Sequence, residues 1–202
     1  SIGQVLLRSF RNAHQHLLSG VTTLRDSGAT ESIGNFIKES YEANFFRVPR
    51  INVCLRPITM TGGHFYFCGE EADGVDEVRT SVRRLVKEGA DFIKIMASGG
   101  GGTPNSDMGL AALSIEELKM IVNEAHNLGK KTEAHCLATE SIRRAAIAKV
   151  DVITHINFIQ SNGSREYNPD IAELIVRNDC TVCPTLQTGY RTYINLKDKD
   201  NI

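Results

Sequence analysis

Short apolar runs rich in β-branched residues alternate with amphipathic segments along this chain, and this alternation limits its fold more than any other feature. Six such runs begin at Val21, Ile51, Phe92, Lys131, Asp151 and Thr181. The pattern is typical of repeated βα units, and the five steps from residue 21 to residue 181 have a mean length of 32 residues. Eight units of this length need about 256 residues, close to the roughly 250 of a closed (β/α)8 barrel.

The length of the chain decides how much of such a barrel it can form. With 202 residues it has room for six strands and one leading helix. We therefore predict an α/β fold, an incomplete (β/α)8 TIM barrel in which strands two to seven are present and strands one and eight are missing. The barrel is expected to occupy residues 1–202 as one domain and to be a fragment of a longer protein. A doubly wound open sheet shows the same alternation and is the alternative fold.

Helix signals separate the predicted strands. Ser114 and Glu117 have the spacing of a capping box at the start of one helix, and Gly129 stands where its C-terminal cap belongs. A second helix begins with Asn168 as its cap and Pro169 in its first turn. Further helices are predicted over residues 3–18, 32–44, 74–88 and 139–149.

Composition excludes some partners. Lys and Arg number 23 against 24 Asp and Glu, so no basic surplus indicates a nucleic-acid partner. No apolar run approaches the 18 or so residues of a membrane span, so no membrane partner is expected. The five cysteines form no even framework, and a chain of this size needs no disulfide, so a reducing cytoplasmic location is the simplest interpretation.

Three strand residues are candidates for a site. Lys94 stands at the centre of the apolar strand "FIKIM", although lysine is rarely buried unless it is paired. The next two strands end in "EAHC" and "ITHI", which contribute His135 and His155. Ligands of parallel α/β folds bind at the carboxyl ends of the strands, and neutral imidazole is the commonest metal ligand. We therefore predict that the two histidines lie near Lys94 and can hold a metal ion.

Six segments, spread over nearly the whole chain, carry a resemblance to a known family: "GVTTLRDSGA" at 20–29, "ITMTGGH" at 58–64, "GADFIKIMASGG" at 89–100, "EAHC" at 133–136, "ITHI" at 153–156 and "CPTL" at 183–186. Together they resemble the metal-dependent amidohydrolase superfamily, in particular its branch of imidazolonepropionase-like proteins and Xaa-Pro dipeptidases or related carboxypeptidases. The resemblance implies an enzyme that cleaves an amide bond of a small substrate, such as a dipeptide, an N-acyl amino acid or a cyclic amide, with a metal-activated water.

The resemblance also implies roles for four residues. Lys94 would be carboxylated by carbon dioxide, and the resulting carbamate would bridge two divalent metals, usually zinc. His135 and His155 would bind the second metal. His64, in the loop that follows the third barrel strand, would contact the carbonyl or carboxylate of the substrate and is the second predicted catalytic residue beside Lys94.

Two parts of the family pattern are missing from the chain. The His-x-His motif of strand one and the Asp of strand eight are absent, and His14 and His16 fall in a predicted helix, where positions i and i+2 face apart. A non-catalytic truncated barrel, acting as a binding or relic domain, is therefore the alternative function. The unpaired edges of an open barrel also predict self-association into a homo-oligomer.

Two further features allow other interpretations. The glycines of "GGGGTPNSDMG" suggest a phosphate-binding loop, but Pro104 stands where the nucleotide fingerprint requires a glycine. A mobile loop that lets substrate reach the site is the preferred interpretation. Tyr190 and Arg191 follow the last predicted strand, at a place where substrate-recognition residues could lie.

Overall fold

A computed structural model describes residues 1–188 and 190 of the chain; Arg191 lies outside these residues. The described helices are Ile2–Leu18 (α1), Ile33–Glu42 (α2), Val75–Lys87 (α3), Ile115–Asn127 (α4), Thr139–Ile147 (α5) and Pro169–Arg177 (α6). The strands are Thr23–Asp26 (β1), Arg50–Val53 (β2), Ile58–Thr59 (β3), Glu70–Glu71 (β4), Phe92–Met96 (β5), Lys131–Ala138 (β6), Val152–Ile159 (β7) and Thr181–Cys183 (β8).

The helix ends follow from local hydrogen bonds that the sequence predicted. The Ser114 side chain accepts a hydrogen bond from the Glu117 amide, and the Glu117 carboxylate accepts one from the Ser114 amide, so the capping box of α4 is confirmed. Asn168 caps α6 by accepting from the Ile171 amide at 3.1 Å. Of the helices that the structure describes, none is long and apolar enough to cross a membrane.

All strand pairings within the sheets are parallel, and their order distinguishes the two predicted folds. β1 pairs with β2, and a second sheet has the order β4-β3-β5-β6-β7-β8. The Asp91 amide donates to the Val53 carbonyl at 2.7 Å, which links the end of β2 to the start of β5. Apart from the two-residue strands β3 and β4, the strands therefore follow one another in chain order without the reversal of a doubly wound sheet. The prediction of an α/β incomplete barrel is confirmed, with β1, β2, β5, β6, β7 and β8 as barrel strands two to seven.

Two of the strands were not predicted. β3 and β4 have two residues each, pair with each other, and stand before and after the loop that carries His64. Ile58 of β3 pairs with Ile95 of β5, so this loop is anchored next to the Lys94 strand. Runs this short carry no periodic signal, which is why the sequence did not reveal them.

The core lies between the sheet and the surrounding helices, and β5 is buried on both faces. All five of its side chains are buried. Ile93 and Ile95 belong to the hydrophobic core, as do Val82 of α3 and Ile121 of α4. Each such aliphatic side chain contributes about 1.5–3 kcal/mol when it is removed from water. Lys94 points to the opposite face from its isoleucine neighbours, so its charge is directed toward the barrel interior.

Candidate active site

An ion pair between Lys94 and Glu133 forms the centre of the site. Lys94 is 3% exposed and Glu133 is 5% exposed. The two residues lie opposite each other in the register of β5 and β6, and Lys94 Nζ donates to Glu133 Oε1 at 2.6 Å. Burial raises the pKa of Glu133, but the charge and hydrogen bond of Lys94 outweigh burial and hold that pKa below its usual value. Lysine is tolerated in this strand because its ammonium group has a buried carboxylate partner.

Residues of β1 and the turn after it complete the environment of Glu133. Arg25 Nη1 donates to Glu133 Oε2 at 2.9 Å, and Ser27 Oγ donates to Glu133 Oε1 at 2.9 Å. The Arg25 guanidinium lies over the Phe92 ring, 4.5 Å from its centroid, and also lines a cavity of about 410 Å³ beside β1. The Glu133 carboxylate therefore accepts hydrogen bonds from three donors, two of which carry positive charge.

Sequence reasoning missed this network around Glu133. The sequence held two signals of it. Glu133 stands two positions before His135 in "KTEAH", so alternation places both side chains on one face of the strand. Arg25 occupies a corresponding interior position on β1. The pairing of these groups depends on the register between neighbouring strands, which the sequence alone did not give.

Three histidine rings lie in a row beside the ion pair. His64 comes from the loop after β3, His135 from β6 and His155 from β7. The ring centroids of His64 and His135 are 4.6 Å apart, and those of His135 and His155 are 4.7 Å apart. Burial, and then the charge of Lys94 among smaller contributions, lowers the pKa of each of the three rings. The structure therefore brings together all four residues predicted for the site.

The predicted metal-binding histidines are in the neutral form that coordinates metals. Burial and then the nearby His155 ring lower the pKa of His135 to about 3. Burial and the Lys94 charge lower the pKa of His155 to about 4. Both imidazoles therefore carry no charge at neutral pH, and each has one ring nitrogen with a lone pair available to a ligand.

A hydrogen bond occupies one nitrogen of each of these two rings. His135 Nε2 lies 3.0 Å from the Gly99 carbonyl, which can only accept, so Nε2 carries the proton and Nδ1 keeps its lone pair. His155 Nδ1 lies 2.8 Å from Thr185 Oγ1, a hydroxyl that can donate or accept; when Nδ1 donates, Nε2 keeps its lone pair. A hydrogen bond from the other ring nitrogen to a carbonyl or hydroxyl is the usual support of a metal-binding histidine.

The backbone of β7 is strained where it presents His155. His155 has φ 74° and Ile156 has φ 52°, both in the left-handed region that β-branched residues in particular avoid. The pairing of β6 with β7 also shifts register between Cys136 and Ala138. Such conformations cost on the order of 1–3 kcal/mol per residue and concentrate at functional sites. The strained residue is the one whose ring lies beside His135.

The residues present supply part of the ligand set of a metal ion. Two free imidazole nitrogens fit a divalent ion such as zinc, but zinc takes at least three protein ligands. In the part of the chain that the structure describes, no group of three or more His, Cys, Asp or Glu side chains is arranged to hold a metal. An ammonium group has no lone pair, so Lys94 can contribute only after its proton has been lost. His14 lies on α1, where its Nδ1 bonds to the Arg47 carbonyl at 2.7 Å.

The glycine-rich segment after β5 packs tightly against its surroundings. A Cβ atom at Gly99 would lie 1.9 Å from the Asp107 carbonyl oxygen, and one at Gly100 would lie 2.4 Å from His64 Nε2. The next helix begins only at Ile115, so these glycines do not lead directly into a helix N-terminus as those of a phosphate-binding loop do. These glycines are needed because the loop folds against itself and against the His64 ring.

The chain is a member of the amidohydrolase family, whose model matches residues 7–200. Ochratoxinase from Aspergillus niger is 39% identical over 87 residues, which are 43% of this chain and 18% of ochratoxinase. A crystal structure of an amidohydrolase superposes with a TM-score of 0.80 at 33% identity, over 91% of this chain and 47% of the other. A prolidase in complex with N-methylphosphonate-L-proline superposes with a TM-score of 0.79 at 28% identity, over 89% of this chain and 46% of the other.

This chain therefore spans about half the length of the solved structures that it matches. Family membership and fold are established for the part that it contains.

Proposed function

We propose that this chain forms the central part of the catalytic barrel of a metal-dependent hydrolase that cleaves an amide bond of a small substrate. The observation that carries the proposal is the row of three histidine rings beside the buried Lys94, at the carboxyl ends of the barrel strands. Dipeptides, N-acyl amino acids and cyclic amides are the substrates that we propose. A prolidase and ochratoxinase among the similar proteins support this substrate class.

Each residue of the site has a proposed role. His135 Nδ1 and His155 Nε2 would hold a divalent metal such as zinc, and Lys94, once carboxylated, would help to hold it and a second metal. The bound metals would supply an activated water and polarise the scissile carbonyl. His64 would contact the carbonyl or carboxylate of the substrate. Its ring is buried, and its Nδ1 lies 2.9 Å from Thr103 Oγ1.

Carboxylation would require Lys94 to leave its ion pair with Glu133. A carbamate beside Glu133 places two anions in one buried region, which is unfavourable without positive partners. Arg25 and Ser27 remain bonded to Glu133 and would compensate its charge. The network on β1 therefore has a proposed role in permitting the change of charge at Lys94.

A non-catalytic barrel is the second candidate function. Lys94 is ion-paired, and no three potential metal ligands converge within residues 1–188 and 190. Such a barrel would serve as a binding or relic domain. For either function we propose a cytoplasmic location, because all five cysteines are free thiols.

Metal analysis combined with hydrolysis assays tests the proposal. We expect the full-length protein to contain two divalent ions per chain and to hydrolyse Xaa-Pro dipeptides or N-acyl amino acids. Lys94→Ala is expected to lose the bridging ligand and with it metal and activity. His14→Ala is the matched control, because His14 lies on α1 and its ring bonds, among the described residues, to the Arg47 carbonyl. Two retained metals and full activity in Lys94→Ala would contradict the bridging role.

A further inference from the structure

The His64 ring is fixed from two sides by the loop that follows β5. His64 is 4% exposed, and its Nδ1 lies 2.9 Å from Thr103 Oγ1. A Cβ atom at Gly100 would lie 2.4, 2.5 and 2.7 Å from Nε2, Cε1 and Cδ2 of the ring. These nearly equal distances place Gly100 against the face of the ring, near Nε2. Within the described part of the chain no hydrogen bond reaches Nε2.

The Thr103 hydroxyl determines which nitrogen of this ring carries the proton. Thr103 is 5% exposed, and its Oγ1 accepts a hydrogen bond from the Phe65 amide at 2.9 Å. The hydroxyl has one proton of its own to donate, and among the described residues the acceptor bonded to it is His64 Nδ1. A buried hydroxyl proton without an acceptor is costly. The proton therefore points to Nδ1, and a neutral His64 ring must carry its own proton on Nε2.

We propose that Thr103 is a positioning residue that fixes His64 in the Nε2–H tautomer, so that His64 offers a hydrogen-bond donor to the carbonyl or carboxylate of the substrate. The inference rests on the proposed function for the role of that donor. It extends the site to the loop after β5, since Thr103 and Gly100 belong to the glycine-rich segment. The segment then serves to orient His64 and has no need of a phosphate ligand.

The tautomer can be measured directly, without any hydrolysis. Long-range ¹H–¹⁵N spectra of the ¹⁵N-histidine-labelled protein distinguish a protonated from an unprotonated ring nitrogen, and His64→Gln assigns the signals. At a pH at which the ring is neutral, we expect the wild-type protein and Thr103→Ser to show the proton on Nε2. Thr103→Val removes the hydroxyl at nearly constant volume and is expected to give a mixture of both tautomers.

Thr59→Val is the matched control for that spectrum. Thr59 is fully buried near the same loop, and its Oγ1 has no hydrogen-bond partner, so its replacement should leave the His64 tautomer unchanged. An Nδ1–H tautomer in the wild-type protein would overturn the proposal, as would an unchanged tautomer in Thr103→Val. If Thr103→Val does not fold, the wild-type and Thr103→Ser spectra still decide, because both must show Nε2–H.

Hydrolysis supplies the second measurement. We expect Thr103→Val to lower kcat/KM for an N-acyl amino acid or Xaa-Pro dipeptide by about tenfold, the effect of one misplaced hydrogen bond, and Thr103→Ser to restore it. Equal kcat/KM in Thr103→Val and the wild-type protein would overturn the positioning role. Absence of hydrolysis by the wild-type protein would instead contradict the proposed function, while the spectra would still decide the tautomer.

Discussion

Lys94 and Glu133 stand opposite each other on neighbouring parallel strands and form a buried ion pair of 2.6 Å. A buried pair contributes little net stability relative to apolar side chains, but removing one partner leaves the other charge buried and unpaired. The pair therefore makes each of the two residues dependent on the other. Carboxylation of Lys94 would also require this ion pair to break.

Replacement of Glu133 by Gln tests this dependence. Glu133→Gln is expected to lower the free energy of unfolding by about 3 kcal/mol, because Lys94 and Arg25 lose their anionic partner. Urea denaturation measures the change. Glu173→Gln, in an exposed pair with Arg177 at 3.8 Å, should have no measurable effect. Equal stability of the two variants would show that the buried pair is not required for folding.

Acid should destabilise the metal-free protein through its two neutral histidines. The pKa of His135 falls from 6.5 to about 3 on folding, and that of His155 from 6.5 to about 4. The unfolded chain therefore binds more protons than the folded chain below pH 6.5. The stability that these rings contribute is complete above that pH and is lost as the pH falls toward 4 and 3. Urea denaturation across this range should show the loss, and a His135→Asn, His155→Asn double variant should show a flatter profile. A profile that is equally steep in the double variant would assign the effect to other groups.

Metal content should depend on the histidines whose ring nitrogens are free. His135→Ala and His155→Ala are each expected to lower the bound divalent metal of the purified full-length protein, because each removes one proposed ligand. Inductively coupled plasma mass spectrometry measures the metal, and His14→Ala is again the control. Unchanged metal content in both variants would exclude these rings as ligands.

The contact between Gly100 and His64 leaves no space for a side chain. Gly100→Ala would place a Cβ atom 2.4 Å from His64 Nε2, so the ring or the loop must move, at a cost of about 1–3 kcal/mol. Gly101→Ala is a closely matched control, since its Cβ would have Met108 Sδ as its nearest neighbour at 3.8 Å. Thermal denaturation should separate the two variants. Equal melting temperatures would mean that the loop accommodates the methyl group without strain.

Self-association is expected because the sheet has unpaired edges. Within the described residues β8 pairs only with β7, and β1 pairs only with β2, so both strands present free backbone groups. Light scattering on this 202-residue chain should show dimers or larger species. A monodisperse monomer would contradict the prediction.

The sequence predicted the parts of the site that depend on local periodicity. Alternation within a strand placed Lys94 in the barrel interior, and strand ends identified His135 and His155, because side-chain direction in a strand follows from position alone. Capping residues likewise located the helices. Side-chain direction in a strand and helix capping both depend on residues that are close together in the chain, so they can be predicted from one sequence.

The tertiary structure decided the contacts between segments that lie far apart in the chain. Glu133 forms hydrogen bonds with Ser27, which is 106 positions away in the chain, and with Arg25, which is 108 positions away. These contacts depend on strand register. The Thr103 hydroxyl reaches His64 because two irregular loops fold together, and neither has a periodic pattern to read. The chain by itself determined which elements form and which residues face the interior. Only folding determined the partners of those residues, since hydrogen bonds and ion pairs depend on distances that local sequence does not encode.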